Sequence, residues 1–285
     1  MKDIFRITHA YTHAGVFHAD DVFSATLLRM LNKGISINRV NSVDDIEDND
    51  TTLIFDIGGS EYDHHQLDKA VRPLIDGTHT DRSGVIHPIP YCSFGLLWRD
   101  YGHLLCPTEK AWKKVDRDLV LQIDAADNGC WKSTLSGAIG TFNPAWNETL
   151  SGASYFEKAA VFAMSVLDRY IQRANAEVEA ESKLAAAPIV DNILVLDMYV
   201  PFENYAAEKM PGVLYAVFPS NRGGWAVRTI PDAPGSFTPR KGFPAEWLGR
   251  PVEELGMTFC HPGNFILTCT TKEQAIEVAR IASAA

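Results

Sequence analysis

Apolar residues recur at three- and four-residue steps along some stretches of the chain and run together along others. Val22, Ala25, Leu28 and Leu31 share one face and predict a helix over residues 21–31. Short apolar runs at residues 4–11, 35–40 and 51–56 predict strands, the last ending abruptly in Asp56-Ile57-Gly58-Gly59. Residues 92–101 and 114–126 read as helices, with Gly102 as the stop of the first. Strands alternating with helices imply a mostly parallel sheet with crossover connections. Ligands of such sheets collect beyond the carboxyl ends of the strands, where Asp56 would sit.

A stripe of Phe156, Ala160, Ala163, Leu167, Tyr170, Ala174 and Val178 predicts a long helix over residues 154–187, ended by Pro188. Its later part, residues 177–183, is polar almost all round, as expected of a helix bridging two domains. The stripe could equally pack against a second subunit, so a homodimer is an open expectation. Residues 193–197, 213–219, 225–230 and 265–270 read as strands and 272–284 as a closing helix, while five prolines between 231 and 251 mark an irregular loop. The expected fold is therefore α/β. A mostly parallel-sheet N-terminal domain (1–188, connector helix included) precedes a smaller mixed α/β domain (189–285).

Composition narrows the class of function. Hydrophobic residues make up 46% and charged residues 22%, which excludes a disordered or collagen-like chain. No apolar run approaches the roughly 18 residues of a membrane span, and the start, Met1-Lys2-Asp3-Ile4-Phe5-Arg6, has no apolar segment of a secretory signal. A mitochondrial presequence is not expected either, because a dense polar motif begins by Thr12. Five cysteines without a C-x-x-C read as reduced thiols of a cytoplasmic protein, not a disulfide frame or zinc ribbon. With 26 Lys+Arg against 36 Asp+Glu the net charge is −10, which disfavours polyanions through the bulk field. A phosphate ester could bind only where cations are supplied locally.

Eight of the nine histidines lie within the first 103 residues, which places imidazole chemistry in the N-terminal half. Four clusters carry it. In Thr12-His13-Ala14-Gly15-Val16-Phe17-His18-Ala19-Asp20-Asp21, two imidazoles and two carboxylates meet at a strand-to-helix junction. Such a set suits Mn²⁺, Fe²⁺, Zn²⁺ or Co²⁺, unless the aspartates merely cap the helix. Asp56 is either a turn former or a ligand aimed into the crevice. In Tyr62-Asp63-His64-His65-Gln66, adjacent histidines point different ways, so one can serve a metal and the other a substrate, or both can lie idle at the surface. In Ile123-Asp124-Ala125-Ala126-Asp127-Asn128-Gly129, Asp127 continues the row Val115, Leu119, Ile123 and so needs a cation or a hydrogen-bond network. The alternative is a helix cap with both aspartates in solvent.

Taken in this order, the four clusters resemble the motif pattern of the DHH phosphoesterase superfamily. The wording T-H-x-G-x-F-H-x-D-D, D-I-G-G, Y-D-H-H-Q and D-x-x-D-N-G is similar to that of the melanocyte-proliferating-gene (Myg) family within it. Cys92-Ser93-Phe94-Gly95-Leu96-Leu97-Trp98, Arg222-Gly223-Gly224-Trp225, Phe237-Thr238-Pro239-Arg240-Lys241 and Phe259-Cys260-His261-Pro262-Gly263-Asn264-Phe265 fit its later segments. The resemblance implies a two-metal centre, usually manganese, with magnesium, cobalt, iron or zinc as alternatives. One metal would take His13, His18, Asp56 and Asp127, and the other Asp20, Asp56, His64 and Asp127. His18 departs from the superfamily, which usually has Asp there, and Asp21 stands where Glu is common. Asp63 would orient a histidine through its ring N–H and His65 would face the substrate phosphate.

In the C-terminal segment, Arg222, Arg228, Arg240, Lys241 and His261 could hold phosphates, and Gly223-Gly224 could let backbone N–H groups approach closely. Solvated arginines at a turn are the plainer alternative, and Trp225 and Phe243 suit a core at least as well as a base stack. The resemblance implies a hydrolase, a metal-dependent 3′–5′ exonuclease on RNA or short oligonucleotides. The alternatives are a phosphoesterase or pyrophosphatase for a small substrate, and a non-catalytic metal-binding regulator.

Overall fold

In the computed structural model, which describes residues 1–66, 68–148 and 152–285, strand β1 (His9–His13) lies between two parallel neighbours. β2 (Ser36–Val40) pairs it from His9↔Ser36 to His13↔Val40, and β3 (Thr52–Ile54) pairs it on the other edge. The strand starts later than the apolar run suggests. Ile4–Arg6 forms a 3₁₀ turn in which the Asp3 side chain accepts from the Phe5 N–H at 3.1 Å. Helix α1 (Ala19–Leu31) makes the crossover from β1 to β2. Residues Ala19 through Leu28 are all buried, so Asp20, Asp21, Ser24 and Thr26 are enclosed together with its apolar stripe. This all-parallel sheet puts the ends of β1 and β3, and hence His13 and Asp56, side by side.

A small antiparallel hairpin follows, β4 (Thr78–Thr80) with β5 (Ile86–Pro88), which the sequence pattern does not announce. Helix α2 (Ser93–Tyr101) buries Phe94, Leu97 and Trp98. The next helical stretch has an internal change of pitch. α3 (Glu109–Val115) passes into a π-helical segment, Asp116–Val120, and then into α4 (Leu121–Asp127). A short α5 (Thr134–Gly140) precedes the 35-residue α6 (Gly152–Ala186).

The chain divides into two compact units, Met1–Asn175 and Ala176–Ala285, so the division falls inside α6, ahead of Pro188. The last turns of α6 are less polar than their composition suggests: Ala180 and Leu184 are buried in the core of the second unit. That unit is a six-stranded mixed sheet in the order β10-β11-β9-β8-β7-β6. Its strands are β6 (Ile189–Val190), β7 (Ile193–Val195), β8 (Tyr215–Pro219), β9 (Trp225–Thr229), β10 (Met257–Cys260) and β11 (Ile266–Cys269). Only β7 and β8 run parallel.

Strand alternation assigns the two faces. Val217, Val227, Leu267 and Cys269 point to one face, which is closed by α8 (Lys272–Ala284) through Ala275, Val278, Ala279 and Ala282. Ala216, Phe218 and Ala226 point to the other, where Phe202 and Ala206 of and beside α7 (Glu203–Lys209) and the end of α6 cover them. Towards β10 this cover runs out. Arg228, Thr268 and Phe259, on the same face, keep partial exposure. Trp225 and Phe243 belong to the α8 side of the core.

Candidate metal centre

Two backbone features bring the chemistry of the first unit together. The parallel sheet ends His13 beside Asp56, and Asp56 itself takes φ +56°, the left-handed conformation that Asp tolerates better than most residues. The turn Ile57-Gly58-Gly59 then brings Asp63, His64 and His65 back against the strand end, with the Asp56 N–H donating to the Tyr62 carbonyl at 3.0 Å. α1 adds Asp20 and Asp21 from its first turn and α4 adds Asp127 from its last.

The distances are short. His13 Nε2 lies 3.2 Å from Asp56 Oδ2 and 3.3 Å from Asp21 Oδ2. His64 Nε2 lies 3.1 Å from Asp56 Oδ1, 3.2 Å from Asp127 Oδ2 and 3.5 Å from Asp20 Oδ2. Three groups of ligand atoms form, each within 4.8 Å: His13, Asp21 and Asp56; Asp56, His64 and His65; and His18, Asp20 and Asp127. All six sequence-nominated ligands (His13, His18, Asp20, Asp56, His64, Asp127) are thus gathered, although His18 groups with Asp20 and not with His13.

The donor set fits a cation. Both oxygens of Asp20, Asp21 Oδ2, Asp56 Oδ1 and His64 Nδ1 are buried without a hydrogen-bond partner, an arrangement that is costly unless a positive charge answers it. Burial pushes the Asp20 carboxyl well above the usual carboxylate range and Asp21 up to about 7. Asp56 goes the other way: burial alone would raise it, but His13 and His64 hold it at about 2. The same contact with Asp56 pushes His13 up to about 9. His13 Nδ1 is engaged with the Ala14 carbonyl at 3.0 Å, which leaves Nε2 to the cluster.

Asp21 is a member of this cluster that the sequence reading placed outside the ligand set. Its Oδ1 accepts from the His18 N–H at 2.9 Å, as a helix cap does, while Oδ2 faces His13. Cap and ligand are compatible in one residue. The same loop is pinned by Asn143, whose side chain accepts from the Phe17 N–H at 3.0 Å and donates to the Phe17 carbonyl at 2.8 Å.

Asp63 and His65 form a pair. Asp63 Oδ1 is 2.7 Å from His65 Nδ1 and accepts from the His65 N–H at 3.0 Å, and its Oδ2 accepts from the Gly59 N–H at 2.7 Å. His65 is thereby oriented through Nδ1, and 63% of its side chain is exposed. Asp124, the other carboxylate of the fourth cluster, is spent elsewhere. It accepts from Arg72 Nε at 2.6 Å and from the Cys92 N–H at 3.0 Å, and burial pushes it up to about 6. Arg72 also binds Asp116 through two donors, which ties α4 to the π-helical segment.

In the second unit, Arg222, Gly223, Arg228 and His261 line one cavity of about 740 Å³. The other nominated residues do not reach it. Arg240 donates to the carbonyls of Met210, Val213, Ala206 and Ala207 at the end of α7, and Lys241 donates to the Ser283 carbonyl at 2.7 Å. Gly224 packs so that an added Cβ would lie 2.3 Å from the Cys269 carbonyl oxygen.

Fold and cluster together define a mixed α/β protein with buried His/Asp groups able to hold metal ions. Residues 9–282 match the family described as uncharacterised protein family UPF0160, and the chain belongs to that family, the MYG1 proteins. It is similar to the MYG1 protein of Dictyostelium discoideum, 26% identical over 94% of each chain. To the MYG1 exonuclease of Homo sapiens it is 25% identical, over 94% of this chain and 84% of that one. To a MYG1 protein of Saccharomyces cerevisiae it is 26% identical, over 96% and 95%. No solved structure matches the chain. No helix among the described residues is long and apolar enough to cross a membrane.

Proposed function

We propose that the protein is a metal-dependent phosphodiesterase of the DHH type that removes nucleotides from the 3′ end of RNA or short oligonucleotides. The observation that carries this is Asp20: a carboxylate with no exposed surface and, among the described residues, no hydrogen-bond partner for either oxygen, set among three further aspartates and the imidazoles of His18 and His64. Relatives that bear the name exonuclease point to the same chemistry. His13, Asp21 and Asp56 would hold one divalent ion and His18, Asp20 and Asp127 a second, with His64 reaching Asp20, Asp56 and Asp127; mixed imidazole and carboxylate donors suit manganese. When bound, two such ions supply charge to stabilise the attacking and leaving oxygens of an in-line displacement.

The chain's own residues do the rest. Asp63 fixes His65, and His65 Nε2 donates a hydrogen bond to a phosphate oxygen of the substrate. Asp56 and His64 keep each other's charge, so the cluster stays organised before the ions arrive. The first unit carries the chemistry and the second binds the strand. Five free thiols suit a reducing, cytoplasmic setting. The test is the Mn²⁺-loaded protein against 5′-labelled RNA and DNA, pyrophosphate and cyclic dinucleotides. A ladder of 5′-labelled products from RNA is expected. Hydrolysis of pyrophosphate alone, or of nothing, would overturn the proposal.

A further inference from the structure

Apart from the central cluster, the β4–β5 hairpin gathers a second set of imidazole and carboxylate groups. Its register sets His79 opposite His87, with Thr80 opposite Ile86. Residues two apart on a strand share a face, so Asp81 follows His79 on the same side of the ribbon. The contacts agree. His87 Nε2 lies 2.9 Å from Asp81 Oδ2, and the His79 and His87 rings stack with centroids 5.5 Å apart and planes at 30°. Thr80 and Ile86, on the other face, are exposed, whereas His79, Asp81 and His87 are each half-buried.

Both ends of the ribbon hold this face in place. Asp81 Oδ1 accepts from the Ser83 hydroxyl at 2.7 Å and from the N–H groups of Ser83 and Val85, each at 2.9 Å. The turn thus fixes the carboxylate and leaves Oδ2 to His87. At the other end, the Ile89 N–H donates to the Gly77 carbonyl at 3.4 Å, and buried Ile89 packs with Leu121 and Ala125 of α4. The histidine pair stands one step out from that buried foot.

The spacing suits coordination as well as a hydrogen bond. Two ligands of a tetrahedral zinc ion, each at about 2.0 Å, stand roughly 3.3 Å apart. A small opening of the 2.9 Å contact between His87 and Asp81 reaches that distance. Directly opposed residues of an antiparallel pair have Cα atoms about 5.5 Å apart at most, within the span of two imidazoles on one ion. His79 therefore completes the set by side-chain rotation, with the backbone unmoved. Two imidazoles to one carboxylate is a nitrogen-rich set, unlike the central cluster with its four aspartates, and it favours zinc over manganese or magnesium.

We propose that the hairpin binds one Zn²⁺ through His79, Asp81 and His87, with the fourth position open to water, and that the ion clamps the two strands about their turn. None of the three residues belongs to the central cluster, so the proposal stands apart from the phosphodiesterase reading.

The test uses the full chain, stripped with chelator and dialysed, then given Zn²⁺ or Mn²⁺. Reaction of each histidine with diethyl pyrocarbonate is followed by peptide mass spectrometry, beside the count of bound zinc. Zn²⁺ should block modification of His79 and His87, and Mn²⁺ should not. His79→Ala should lower bound zinc by one ion per chain and remove the protection of His87, and His87→Ala should do the converse. Asp81→Asn keeps an acceptor for the turn and should weaken zinc at the pair by about 10- to 100-fold or more, the loss expected even for a group that only supports a ligand. His64→Ala, which alters the central cluster, should leave the protection of His79 and His87 intact. Thermal unfolding of each variant controls for folding. Equal modification with and without Zn²⁺, protection of His87 that survives His79→Ala, or protection that vanishes in folded His64→Ala would each overturn the proposal.

Discussion

Asp56→Asn separates charge from shape at the centre of the cluster. Asn is among the few residues that accept the left-handed backbone at φ +56°, so the strand end is kept. Alanine there would add roughly 1–2 kcal/mol of backbone strain and confuse the result. Asp56 oxygens approach His13 and His64 within 3.2 Å, and the ligand atoms of each group lie within 4.8 Å of one another. A cation among them is therefore close to the Asp56 charge. At about 4 Å and an effective dielectric near 20, each unit of cation charge contributes roughly 4 kcal/mol, so a divalent ion about 8 kcal/mol. The amide dipole that remains and the smaller desolvation offset more than half of this, leaving about 3 kcal/mol, or roughly 10²-fold in affinity. The expected outcome is a hundredfold weaker Mn²⁺ affinity by chelator competition, with metal lost on dialysis. The metal-free protein should also unfold at a lower temperature, because the amide no longer answers the charges of His13 and His64. Affinity within threefold of the parent, with turnover reduced, would refute the reasoning and make Asp56 a group that handles protons.

His65→Ala should keep its metals and lose turnover by roughly 10²–10³-fold, the scale of one donor to a developing charge; metal analysis beside kinetics checks it, and loss of metal would show His65 to be a ligand. Gly95→Ala would place a Cβ 2.2 Å from Asp124 Oδ1. Asp124 is pinned by Arg72 and Cys92, so that buried pair must separate, at about 3–5 kcal/mol in urea unfolding. The pH dependence of the metal-free protein has a fixed sign. Folding raises Asp21 to about 7 and His13 to about 9, so both favour the folded state at low pH and lose that contribution as pH rises through those values. The unfolding temperature of stripped protein should fall from pH 6 to pH 9.5, and added Mn²⁺ should flatten the profile. A flat profile without metal would contradict the buried cluster.

Much of this architecture is legible in the sequence where burial has one period. α8 shows its stripe of Ala275, Val278, Ala279 and Ala282, and Thr271 caps it. The β4–β5 hairpin is not legible, because His79 and His87 face each other in a ribbon with no apolar alternation. β10 is missed for a related reason: a register shift between Met257 and Phe259 turns Thr258 and Phe259 out of the pattern. In the site, the four motifs read as chemistry because carboxylates and imidazoles crowd element ends. Asp21 escaped since a residue in the first turn of a helix has a sufficient local role as a cap. Arg240 misled because its partners lie about thirty residues back in the chain, at the end of α7.

The π-helical segment Asp116–Val120 gives the first unit a tolerance of a kind that substitutions do not reveal. A π-turn holds one residue more than an α-turn over nearly the same rotation and rise. Deleting exposed Arg117 would therefore let the segment anneal to regular α-helix with α4 still facing the same way, Asp127 at His64 and Asp124 at Arg72. Deleting Gln122, in the regular helix beyond it, has no extra residue to take up and would turn Asp124 and Asp127 by about 100°. Metal uptake should survive the first deletion and be abolished by the second. One residue of spare chain length is built in ahead of the site's last ligand.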